Sequence, residues 1–174
     1  MMQMLNAGGI PALTDGSRVA DQHNPQGYFE DDRTRRLSRD ASWLHEASGK
    51  AVKIIYRLLP HLPPTFDYRF LFMERDLNEA YDSQQDMLQS RNDPTAAQDR
   101  DRMILALSRD LDIIKQWLGE KRDIRQLVVP YSDLVMKPRV WASEVSRFLD
   151  GGLDELAMAT AVNPALYRHR SRQM

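Results

Sequence analysis

The sequence predicts an α/β fold, and three observations carry that expectation. The stretch Tyr68 to Gln89 opens with a short aromatic and apolar run, Tyr68-Arg69-Phe70-Leu71-Phe72-Met73, which suits a buried strand. It then changes period: Leu77, Ala80, Tyr81, Gln84, Met87 and Leu88 follow at helical spacing. Two further apolar runs, Ala51-Val52-Lys53-Ile54-Ile55 and Arg125-Gln126-Leu127-Val128-Val129, read as strands separated by helical segments. In an open α/β sheet, ligands collect at the carboxyl ends of strands. Arg75 stands at such an end, and Ser83 lies about two helical turns further on. An arginine beside a helix N-terminus with a hydroxyl nearby is a seat for a phosphate.

Composition sets the bounds. A chain of 174 residues accommodates one domain with a proper core, residues 1–174, ending in a basic tail over 163–174. Lysine and arginine number 24 against 25 acidic residues, so the net charge of −1 gives no general attraction to nucleic acid or to an anionic membrane. No cysteine is present, which excludes a disulfide framework and thiolate metal sites. No apolar run approaches the ~20 residues of a membrane span, and Met1-Met2-Gln3-Met4-Leu5 lacks the features of a signal peptide. The expectation is a soluble cytoplasmic protein without a bound metal.

In chain order, Met1, Met4 and Leu5 share a helical face, and Gly8-Gly9 before Ile10-Pro11 ends the helix. About seven residues without an N-cap make a marginal helix. The segment reads either as a short frayed helix or as the end of a longer one that begins before Met1. Residues 11–32, rich in Pro, Gly, Asp and Asn, form an irregular connection carrying Asp15, Arg18, Asp21 and Glu30. A helix is expected from Asp31 or Asp32 through Ser48, with Leu37, Ala41, Leu44 and Ala47 inward and Gly49 ending it. Its arginines Arg33, Arg35, Arg36 and Arg39 are either a solvated face or a steering surface for anionic substrate. Lys53 interrupts the 51–55 strand, as an edge residue reaching water or as a functional cation.

Asp93-Pro94 marks a helix start, and that helix runs to Trp117-Leu118 before Gly119. Ile104, Leu107, Leu111, Ile114 and Leu118 could make a short coiled-coil seam; Ile113 and Trp117 widen the stripe and favour ordinary core packing. After the strand at 125–129, Pro138 starts a helix with Trp141, Val145, Phe148 and Leu149 inward, closed by Gly151-Gly152. A short helix follows near 153–160, and the tail from Asn163 carries Arg168 and Arg170.

Arg75 followed eight residues later by Ser83 at a strand–helix junction resembles the 3′-phosphate-binding motif of the bacterial sulfotransferases that use 3′-phosphoadenosine 5′-phosphosulfate. Asn24-Pro25-Gln26-Gly27-Tyr28-Phe29-Glu30, Gly49-Lys50-Ala51-Val52-Lys53, Leu58-Leu59-Pro60-His61-Leu62-Pro63 and Val129-Pro130-Tyr131-Ser132-Asp133-Leu134 are similar to segments of the same family, so the resemblance spans nearly the whole chain. It implies a three-layer P-loop-type parallel sheet flanked by helices, with the nucleotide donor and an unnamed acceptor as partners. Arg75 and Ser83 would hold the 3′-phosphate, Lys53 would face the sulfuryl group, and Arg168 and Arg170 would cover the nucleotide unless the tail merely solubilises. The Tyr131-Ser132-Asp133-Leu134 element would be a structural corner.

Two departures stand out. The family's glycine-rich phosphate loop has no counterpart: Gly49-Lys50 is followed by Ala51, and Leu44 stands where the first glycine belongs. The expectation is therefore a chain lacking the first strand and its loop, whose exposed sheet edge invites self-association. The family's Val-Lys-Thr-His reads here as Val52-Lys53-Ile54-Ile55, so the histidine that acts as general base is an isoleucine. Glu30 and His61 are the replacement candidates, each equally readable as structural. Sulfuryl transfer to a hydroxyl or amine is thus one expectation, and a non-catalytic relative acting as a binding or scaffold protein is the other. A nucleotide kinase is disfavoured, because it needs the same loop and an acidic pair for magnesium.

Overall fold

A computed structural model describes residues 1–21, 24–90, 99–121 and 124–167. Among these the architecture is mixed α/β around a pair of parallel strands. β1 (Arg69–Glu74) and β2 (Arg125–Pro130) pair from Arg69↔Arg125 to Glu74↔Pro130. The helices are α1 (Met2–Ala7), α2 (Leu77–Ser90), α3 (Arg100–Glu120), α4 (Tyr131–Met136), α5 (Pro138–Phe148) and α6 (Glu155–Thr160). The strand-to-helix switch expected around Glu74-Arg75-Asp76 is present, and Asp76 initiates α2 by accepting from the backbone N–H groups of Asn78 and Glu79 at 2.9 and 3.1 Å.

Alternation along the strands sends side chains to two different cores. Leu71, Met73, Leu127 and Val129 meet Met4 and Leu5 of α1, Leu134 of α4, Ala142 and Val145 of α5, and Met158 of α6. Phe70 and Phe72 face the other way, against Leu59, Ile114 and Leu118. Helices therefore cover one face of the pair, while on the other the cover reaches Phe70 and Phe72 of β1 and leaves Gln126 and Val128 of β2 exposed. At the amino ends of the strands, Arg69 and Arg125 are direct register neighbours and would repel; Asp150, at φ 69°, accepts from both, at 3.3 and 2.9 Å.

Three expectations are corrected. The single helix from Asp31 or Asp32 to Ser48 is two 3-10 helices, Asp32–Arg36 and Ser42–Ala47. Local side-chain bonds break it: Asp31 accepts from Arg33 N–H, and Asp40 accepts from both the N–H and the hydroxyl of Ser42. Leu37, Trp43 and Leu44 still turn inward, onto Leu13. The stretch from Ala51 to Ile55 does not join the sheet among the described residues. Ala51 bridges Ala12 instead, donating to Pro11 O at 2.9 Å and accepting from Leu13 N–H at 2.8 Å. Finally, Ile113 does not widen a buried stripe: it is exposed, whereas Ile114 and Leu118 fill the core. The Asp93-Pro94 helix start lies outside the described residues, and α3 is capped by Asp99, which accepts from Arg102 N–H at 3.0 Å.

α1 is held by close approach. Its C-cap, Gly8, lies against Met158, and the Gly8 carbonyl accepts from Asp154 N–H at 3.2 Å. A β-carbon at Gly8 would stand 2.5 Å from Met158 Cγ, inside van der Waals contact. Gly8→Ala is expected to cost about 1–3 kcal/mol, as overpacking does. Urea unfolding checks this: the Gly8→Ala/Met158→Ala double variant should lose less than the two single losses combined.

Candidate functional site

The parallel register builds the site. Because Glu74 pairs with Pro130, the residues that follow them, Arg75 and Tyr131, emerge side by side at the carboxyl end of the sheet. The Arg75 guanidinium lies 5.0 Å from the Tyr131 ring centroid and 5.9 Å from that of Tyr167. The two tyrosines meet edge to face, with centroids 5.2 Å apart. Such aromatic and cation–π contacts are worth about 0.5–1.5 kcal/mol each. They fix the guanidinium plane more than they stabilise the fold.

Below this layer sits Glu79, one helical turn from Arg75 and with a side chain only 7% exposed. Its Oε2 accepts from Arg75 Nε at 3.5 Å, and its two oxygens accept from the Tyr167 hydroxyl at 2.7 and 2.8 Å. A buried carboxylate needs such partners. Burial pushes the Tyr167 phenol up, and the hydrogen bond to Glu79 adds to it, giving a value of about 12. Among the described residues, the terminal nitrogens Nη1 and Nη2 of Arg75 form no hydrogen bond. Ser83 follows Glu79 by one turn, so Glu79, Ser83 and Met87 make one i, i+4 row along α2, with Arg75 just ahead of the helix.

Near the carboxyl end of α2, a second cluster joins the 11–32 connection to Lys53. Lys53 Nζ donates to Glu30 Oε1 at 2.9 Å, and Arg18 donates to both Glu30 oxygens at 3.0 and 3.2 Å. Arg18 also stacks 3.3 Å over the Tyr28 ring, while the Tyr28 hydroxyl donates to Asp21 at 2.7 and 2.8 Å. Arg18 Nη2 reaches Met87 Sδ at 3.6 Å, which ties this cluster to the Glu79 row one turn beyond Ser83. Burial raises the Glu30 carboxyl, but the hydrogen bonds from Lys53 and Arg18 outweigh it, and the net shift is downward from 4.5. A carboxylate shifted that way is a weak proton acceptor at neutral pH.

The structure thus brings Lys53 together with Glu30, and sets Arg75 just ahead of α2 and Ser83 within it, with no described contact between the two. His61 stands apart, exposed at the end of the 3-10 helix Tyr56–His61, and forms no described contact with either cluster. Arg168 and Arg170 lie outside the described residues, although Tyr167, their immediate neighbour in sequence, packs on Arg75. Glu79, Tyr131, Tyr167 and Arg18 are the residues that sequence reasoning missed. Tyr131 was legible in principle, since it follows a strand as Arg75 does. Asp133 fits the corner expected of it, accepting from Trp141 Nε1 at 3.0 Å and Lys137 Nζ at 2.9 Å, which joins α4 to α5.

A shallow recess of about 150 Å³ opens between the β1–α2 junction and α3, lined by Phe72, Glu74, Arg75, Ser108, Asp112 and Lys115 among others. Among the described residues no group of three or more histidine or acidic side chains is arranged to hold a metal ion, and no helix is long and apolar enough to cross a membrane. Comparison of the chain with protein-family models, with curated proteins and with solved structures returns no match.

The Glu30 network has a pH signature. A carboxyl whose folded pKa is depressed below 4.5 contributes stability above that value and loses it as the pH falls through the folded pKa. Wild type should therefore lose stability on acidification below about pH 4.5, and Glu30→Gln should flatten that part of the profile. Thermal melts between pH 3 and 7 check it; parallel profiles for the two proteins would dismiss the network as a source of stability.

Proposed function

We propose that the chain is a sulfotransferase-like protein that binds a 3′-phosphorylated adenine nucleotide, with Arg75 as the principal ligand to the 3′-phosphate. The observation that carries this reading is the Arg75 guanidinium itself. It is held at the carboxyl end of β1 by two tyrosine rings and by Glu79 on its Nε edge, with its Nη fork unengaged among the described residues. A planar fork of that kind matches two oxygens of a phosphate. Ser83, one turn beyond Glu79 on α2, would supply a hydroxyl donor. The three-layer P-loop-type sheet belongs to the same proposal, and a parallel strand pair with helices packed on one face of both strands supports it.

Sulfuryl transfer would proceed by in-line displacement. The bond from sulfur to the bridging oxygen of the donor breaks, a bond from sulfur to the acceptor oxygen or nitrogen forms, and the acceptor proton passes to a base. Lys53 would neutralise charge on the sulfuryl oxygens, and Arg18 stands close enough to share that task through Glu30. Glu30 is the candidate base beside them. A second reading, nucleotide binding without transfer, is favoured by one observation: Glu30 is held by two cations and shifted downward, while Ile54 and Ile55 follow Lys53 where the resembled family carries Thr-His. The basic tail with Arg168 and Arg170 would extend the nucleotide site from Tyr167 onward.

Arg75→Ala is expected to abolish binding of adenosine 3′,5′-bisphosphate, a loss of about 2–5 kcal/mol for one partner of a charge-assisted pair. Titration calorimetry on wild type and variant measures it. Equal affinities would remove Arg75 from the site and the reading with it.

A further inference from the structure

An acidic side chain one turn from a phosphate-binding arginine demands an explanation, because a buried carboxylate costs desolvation and repels an incoming anion. The position of Glu79 supplies one. Its Oε2 meets Arg75 at Nε, and the Nη fork makes no hydrogen bond among the described residues. Both its oxygens accept from Tyr167, whose ring in turn packs edge-on against Tyr131 beneath the same guanidinium. Arg75 is therefore bounded on one edge by Glu79 and on its face by the tyrosines. Glu79 is itself fixed by a hydroxyl from the carboxyl-terminal segment, whose 3-10 turn Pro164–Leu166 is capped by Asn163.

We infer that Glu79 is a positioning residue for Arg75, and that Tyr167 acts through Glu79 to aim the guanidinium at the oxyanion. The functional meaning of this rests on the reading of Arg75 given above; the coupling itself is a property of the chain without ligand. Tyr167 and Arg75 are 92 positions apart in sequence, yet in this arrangement the hydroxyl of one sets the side-chain direction of the other. The ligand class is a phosphate ester with two free oxygens, and discrimination for the 3′-phosphate depends on the orientation of the fork.

Two variants separate positioning from mere packing. Tyr167→Phe keeps the ring against Tyr131 and removes only the hydroxyl; Glu79→Gln keeps the size and removes the charge. In protein labelled with ¹⁵N-arginine and free of ligand, the Arg75 Nε–H signal is assigned by its loss in Arg75→Lys. Both variants should shift that signal and speed its exchange with water. Each should also weaken adenosine 3′,5′-bisphosphate binding by about tenfold, as removal of a supporting partner does. Adenosine 5′-monophosphate, which lacks the 3′-phosphate, should bind all three proteins alike, and the double variant should lose no more than either single one. An unmoved Arg75 signal in Tyr167→Phe overturns the inference, whatever the nucleotides do. Tighter bisphosphate binding by Glu79→Gln also overturns it, by making the carboxylate a competitor of the ligand. If wild type binds no bisphosphate, the nucleotide reading falls, and the arginine signal still decides the coupling.

Discussion

Everything proposed for this chain depends on the parallel pairing of β1 with β2, and on its register. Six residue pairs from Arg69↔Arg125 to Glu74↔Pro130 decide which side chains meet at each end of the sheet. At the carboxyl end they place Arg75 beside Tyr131. Along the strands they send Leu71, Met73, Leu127 and Val129 to one core and Phe70 and Phe72 to another. A slip of one residue would exchange those faces and separate the arginine from its tyrosine. The site is thus a by-product of burial: the apolar alternation that forces the register also composes the polar cluster where the strands end.

A common motif runs through the polar surface. Lys53 and Arg18 meet Glu30, Arg75 meets Glu79, Lys115 meets Glu74 and Arg100 meets Asp82. The chain holds 24 basic and 25 acidic residues, and among the described residues many of its cations are answered by its own carboxylates. An anionic ligand must therefore either compete with an internal carboxylate or find donors that the carboxylate leaves open. The two clusters differ in this respect. Glu30 is gripped by two cations through their terminal nitrogens, whereas Glu79 engages Arg75 only at Nε. That difference is what favours the Arg75 end of α2 in the proposed reading.

The sequence made β1, α2, β2 and α5 legible because each rests on a local signal: an apolar run, a period of 3.6, a proline start, a Gly pair. It failed where a local signal was outbid. Leu37, Ala41, Leu44 and Ala47 imitate a helical face, but Asp31 and Asp40 draw neighbouring backbone N–H groups to their side chains, and two short 3-10 helices result. The run at 51–55 is strand-like in composition, yet its partner is the 11–13 segment rather than the sheet, and composition carries no partner. Of the site, Arg75, Ser83, Lys53 and Glu30 were visible through their chemistry and order. Glu79 and Tyr167 were not, since Glu79 looks like any acidic residue in a helix's first turn, and Tyr167 comes from the far end of the chain.

The amino end of the sheet offers a different lesson. Two arginines stand opposite each other there, an arrangement that alone would push the strands apart. Asp150, turned into a left-handed conformation after α5, lies between them and accepts from both, while Arg125 also donates to the Phe148 carbonyl at 2.8 Å. The charge balance of the strand pair is thus shared between Asp67, just ahead of β1, and the segment after α5. Arg69 carries a local counter-ion in Asp67, whereas Arg125 finds its own in Asp150, so the docking of α5 completes the charge balance of β2 and, by reaching Arg69 as well, favours the register in which the two arginines stand opposite each other.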